Sequence, residues 1–110
     1  MNYASVKIQG PKGEKELRLL VGTGSLYTWI SRETLRAVGI RPTRKKTFRT
    51  NEGREVVREI SEASLGVAGE EATRIVVLGE PGDFEVLGVG LEVRPHRAEF
   101  LIQSFGHAGL

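Results

Sequence analysis

Seven residues, Leu19-Leu20-Val21-Gly22-Thr23-Gly24-Ser25, carry three apolar side chains into a small turn with two glycines and two hydroxyls. A turn of this kind could cradle a phosphate or present a nucleophilic serine, and both possibilities fail on spacing. The dinucleotide fingerprint G-x-G-x-x-G needs a glycine where Tyr27 stands and a long helix after it. No Walker A pattern occurs, and Ser25 is not in the G-x-S-x-G elbow. His96 and His107 lie in no metal-ligand spacing, so neither a metal nor a cofactor is expected. Paired carboxylates for general acid and base work are also missing from any plausible turn. Asp83 is the only aspartate; it closes the turn Glu80-Pro81-Gly82-Asp83, which Glu80 and Glu85 flank.

Two further groups of residues could bind something. Arg41 to Arg49, with Arg44, Lys45, Lys46 and Arg49, is the densest basic stretch. Phe48 is its one aromatic, so a base-stacking platform is not evident. The run reads as the solvated face of an edge strand, where charge also deters sheet-to-sheet association. Tyr27 and Trp29 alternate with Leu26, Thr28 and Ile30, which suits a core or a subunit interface better than a cofactor platform.

The elements that must position these residues are mostly strands. Ala4 to Gln9 places Val6 and Ile8 on one face and Lys7 on the other. After the turn Gly10-Pro11-Lys12-Gly13, Leu17, Leu19 and Val21 alternate with Arg18 and Leu20, predicting a hairpin. Leu26 to Ile30 is a β-rich run. One short helix is expected over Arg32 to Val38, with Ser31 as N-cap, Gly39 just past the end and Ile40 folding back on Leu35. Asn51-Glu52-Gly53 separates two strand-like runs and predicts a projecting hairpin. Further strands are expected at Ala72 to Gly79, Phe84 to Gly90, Leu91 to Pro95 and Ala98 to Ser104. Short strands with a turn every 8 to 12 residues or so predict a small closed or sandwiched β-fold.

Composition suits a single soluble domain spanning residues 1–110. No apolar run approaches the roughly 20 residues of a membrane helix, and the N-terminal residues lack a signal-peptide pattern. Cysteine is absent, which agrees with a reducing compartment, so a cytoplasmic protein with no membrane partner is expected. The net charge of +2 is weak evidence for nucleic acid, and none is expected as a partner. Arginine outnumbers lysine, glutamate far outnumbers aspartate, and Asn, Gln and Met are scarce, a balance that leans towards a thermophile.

With these elements in order, the chain resembles the small retropepsin-like aspartic proteases of archaea and bacteria. The resemblance rests on the hairpin ending in an apolar run, the D-T-G-[AS]-like turn Gly22-Thr23-Gly24-Ser25, and the strand and short helix after it. It extends to the hairpin at Asn51, Glu52, Gly53 and Arg54, near where the family carries its flap. It ends at Val86-Leu87-Gly88, like the family's second signature. The resemblance implies a mostly all-β fold, a closed barrel forming half of an acid protease, with one short helix. It implies a homodimer acting on a peptide or protein, each chain giving one aspartate to a dyad that shares a proton. One carboxylate then activates water while the other protonates the substrate carbonyl. Thr23 would tie the two turns together, Gly24 would let the backbone approach, and Ser25 would hydrogen-bond the carboxylate.

Two departures stand out. Gly22 occupies the place of the catalytic aspartate, so the resemblance implies an inactive member. After Gly88, Val89-Gly90 runs into Leu91-Glu92-Val93 with no room for the family's usual helix. The competing expectation is a non-catalytic β-domain that binds a peptide or an acidic partner through Arg41 to Arg54. An active enzyme using some other residue is the least supported.

Overall fold

The computed structural model describes residues 2–22, 25–49 and 52–88. They form seven strands and one helix: β1 (Tyr3–Gly10), β2 (Gly13–Gly22), β3 (Thr28–Ser31), α1 (Arg32–Ala37), β4 (Arg44–Arg49), β5 (Glu55–Val67), β6 (Glu70–Gly79) and β7 (Val86–Gly88). The strands expected over Leu91 to Pro95 and Ala98 to Ser104 lie outside the described residues, as does the stretch after Gly88 where the family's helix would stand.

The hydrogen-bonded order is β1-β2-β7-β3-β6-β5-β4, and a further β1–β5 pairing closes the first six strands into a barrel. Closure depends on the length of β5. Its first half pairs with β4 from Glu55 to Ile60, whereas Ser64, Leu65 and Gly66 pair with β1. The β4–β5 hairpin therefore grows out of the barrel wall as a separate arm. The strand from Leu26 expected earlier begins two residues later, at Thr28.

Period-2 patterning decides which side chains enter the barrel. Ala4, Val6 and Ile8 of β1 are buried while Tyr3, Ser5, Lys7 and Gln9 are exposed. Leu19, Ile30, Leu65, Val67, Val76, Leu78 and Leu87 join them in one core. Each large apolar side chain buried this way contributes about 1.5–3 kcal/mol. The helix closes one end with Leu35, Val38 and Ile40.

The boundaries of α1 follow the sequence. Ser31 accepts a hydrogen bond from Thr34 N–H at 3.2 Å, Glu33 lies in the first turn and Arg36 in the last. Gly39 has φ +86°, Gly39 N–H donates to Arg36 O and Ile40 N–H donates to Leu35 O, the paired bonds of a Schellman end. Lys12 N–H, in the β1–β2 turn, donates to Val38 O at 3.0 Å, which docks that hairpin on the helix end. Among the described residues no helix is long and apolar enough to cross a membrane.

Candidate active site

The short strand β7 runs between β2 and β3, parallel to the first and antiparallel to the second. Leu20, Val21 and Gly22 stand opposite Val86, Leu87 and Gly88, and Trp29 stands opposite Val86. The strand entering the glycine turn and the strand leaving it thus flank the second apolar-apolar-glycine motif. A side chain at Gly88 would come within 2.5 Å of Tyr27 O, so only glycine lets the chain beyond the turn pass so close. The buried Thr28 hydroxyl fixes that crossing by accepting a hydrogen bond from Gly88 N–H at 3.1 Å.

Gly22 is the last residue of β2 and is half-buried. Ser25 N–H donates to Gly22 O at 3.0 Å, so the two ends of the motif are hydrogen-bonded to each other. The Ser25 hydroxyl donates to Tyr27 O at 2.6 Å and is used within its own turn. Thr23 and Gly24, given roles by the resemblance, lie outside the described residues.

Trp29 lies on the face of β3 outside the barrel and Tyr27 stands just before the strand, both half-buried. The β4–β5 arm curls over them. Phe48 of β4 meets Tyr27 edge-on, with centroids 5.3 Å apart, and Trp29 at 5.1 Å. Lys46, one turn of the pleat away, places its Nζ 5.7 Å from the Tyr27 ring. The two aromatics expected in a core or a subunit interface therefore make their contact with the arm of their own chain. At the arm's tip Glu52, Gly53 and Arg54 are exposed, and Gly53 has φ +82°. An exposed Arg49–Glu55 pair closes the base of this tip, at 3.4 Å. Asn51 lies outside the described residues. Arg44, Lys45 and Lys46 are exposed on β4, which among the described residues has β5 alone as a strand neighbour.

The acidic residues set aside on sequence grounds are used structurally. Arg58 of β5 grips Asp83 with Nε to Oδ2 at 2.7 Å and Nη2 to Oδ1 at 3.0 Å. Glu80 N–H also donates to Asp83, at 2.8 Å. The Arg58 hydrogen bonds, helped by that backbone donor and opposed by burial, hold the Asp83 carboxyl below its ordinary value. Arg32 of α1 bridges Glu59 and Glu80, and Ser31 N–H donates to Glu85 at 2.9 Å. Among the described residues no cluster of three His, Cys, Asp or Glu could hold a metal ion.

This arrangement agrees with what comparison finds. The sequence profile of a family described as aspartyl protease matches residues 4–93. The chain belongs to this aspartyl protease family. Its fold is retropepsin-like: the solution structure of simian foamy virus (mac) protease aligns with a TM-score of 0.56. That alignment has 20% identity and covers 78% of this chain and 86% of the viral one. No curated protein matches the sequence. Within the aspartyl protease fold, Gly22 ends the strand that leads into the motif turn, and Val86, Leu87 and Gly88 form the strand paired with it.

Sequence reasoning missed the contact between Phe48 and the aromatic pair, because the two segments are 19 residues apart and share no strand pairing. It also missed the Arg58 grip on Asp83. An arginine two residues short of a buried Ile60, with one aspartate in the chain, was the available signal.

Proposed function

We propose that this member of the aspartyl protease family has lost peptide hydrolysis at Gly22 and acts as a paired module that holds extended peptides. One observation carries the reading: the residue registered against Gly88, at the mouth of the motif turn, is a glycine with no group to hold water or move a proton. The supporting scaffold persists around it, in the Gly88 crossing, the Thr28 bond and the curled arm. In the family each chain gives one aspartate, so in a twofold dimer the loss occurs twice and no dyad remains. A peptide would lie between the two arms and the β3 faces, adding a strand to exposed backbone.

The test is an unfolded-protein digest at acidic pH with and without pepstatin, run beside sedimentation of the same sample. The expected result is a dimer that leaves the substrate intact. Pepstatin-sensitive cleavage would remove the claim of inactivity, and a monomer at micromolar concentration would remove the pairing.

The exposed cations of β4 favour a second reading, in which an acidic partner binds that edge. Its mark is affinity that falls steeply with added salt.

A further inference from the structure

The edge of the sheet at β4 is open and already held in place. Among the described residues β5 is the only strand paired with it, so the backbone groups along its other edge have no ladder partner. The root of the strand is fixed where Thr43 N–H and the Thr43 hydroxyl both donate to Ile60 O, at 2.8 and 3.1 Å. Towards the tip, Phe48 rests on Trp29 and Arg49 pairs with Glu55. A segment added to this edge would meet a preformed template, so binding would order the incoming segment alone.

Charge decides what that segment is. Arg44, Lys45 and Lys46 are consecutive and exposed, and among the described residues none of them forms an ion pair. Their register partners on β5 are Ile60, Glu59 and Arg58. Ile60 is neutral, Glu59 is bridged to Arg32, and Arg58 grips Asp83 and has the same charge as Lys46. Three adjacent cations therefore border the open edge without a counter-charge. Lys46 shares the face of Phe48 and approaches Tyr27, and Lys45 lies on the opposite face, so both sides of the edge are cationic. A second copy of the same edge is a poor occupant, because pairing would lay cations beside cations. Nucleic acid finds no stacking surface, since Phe48 is turned in against Tyr27 and Trp29.

We propose that β4 takes an acidic protein segment, added in extended form along the edge away from β5, with carboxylates beside Arg44, Lys45 and Lys46. Main-chain hydrogen bonds hold the segment, and the three cations select its charge. The proposal rests on the reading of these cations as the surface for an acidic partner, and it adds the form in which that partner binds.

The experiment is fluorescence anisotropy with the full chain and a labelled peptide in which a run of glutamates is flanked by valines and threonines. A second peptide of equal charge carries prolines in the flanks, which remove ladder donors and block strand addition. The expected result is binding of the first peptide roughly tenfold tighter than the second. Lys45→Gln with Lys46→Gln should weaken it about three- to tenfold, and added salt should weaken it further. Hydrogen exchange at β4 amides should slow with the first peptide and not with the second. Equal, salt-sensitive binding of both peptides would overturn strand addition and leave the acidic-partner reading standing. No binding, or affinity indifferent to salt and to the two lysines, would overturn both. An unlabelled oligothymidylate that displaces the peptide at equal charge concentration would overturn the choice of a protein segment.

Discussion

The ring of Phe48 lies 5.1 Å from that of Trp29, although β5 and β6 separate their strands in the sheet. Only a strongly curled arm can bring them together, and the contact fastens that arm over the strand that leaves the motif turn.

Phe48→Ala should release the arm without unfolding the barrel. Loss of two aromatic contacts around a half-buried ring costs about 1–2 kcal/mol. Hydrogen exchange should quicken at β4 amides while those of β6 keep their protection. Uniform acceleration over both strands would mean that the arm is an integral part of the core.

Asp83→Asn should lower stability at neutral pH by about 1–3 kcal/mol, because a hydrogen-bonded charge pair is broken and Arg58 is left unmatched. The pH dependence has a definite sign. The folded carboxyl titrates below its unfolded value of roughly 3.9, so its contribution is complete above that value. It is lost as pH falls through the lower folded value. Denaturation curves of parent and variant should therefore differ at pH 7 and converge in strong acid. A gap that persists at pH 2 would exclude the ion pair as the cause.

Ala68→Asn should stabilise the chain. Ala68 and Gly69 form the β5–β6 turn with φ of 52° and 84°. A two-residue turn with both φ positive favours Asn-Gly, and alanine is strained there. The expected gain is about 0.5–1 kcal/mol, seen as a rise of a few degrees in Tm. An unchanged or lower Tm would show that the turn's strain is already relieved elsewhere.

Gly22→Asp should create measurable, pepstatin-sensitive peptidase activity, because it returns a carboxylate to the turn that the second signature flanks. The comparison uses cleavage rate at acidic pH per folded dimer. No cleavage by a folded Gly22→Asp dimer would show that the turn is not a vacated active site.

Much of the barrel was legible before any coordinates. The alternation of Val6 and Ile8 with Lys7, and of Leu17, Leu19 and Val21 with Arg18, assigns the inner face because strand side chains have period two. Ser31, Gly39 and Ile40 marked the helix ends through hydrogen bonds that span only a few residues. The hairpin tip at Gly53 was legible for the same reason, since a positive φ is a local demand. The family resemblance, too, was carried by two short motifs whose residue types survive, apart from Gly22.

Contacts between distant segments were not legible. Val86 against Gly22, Tyr27 against Gly88 and Phe48 against Trp29 each join residues at least 19 positions apart. Whether they touch depends on strand register and on the curl of the arm, which arise from the sum of many weak packing terms and leave no local pattern. The sequence by itself determined that position 22 has no carboxylate to offer. Only the tertiary structure decided what stands beside that position, because β7 must first be threaded between β2 and β3 before a valine on it can meet a glycine at the turn.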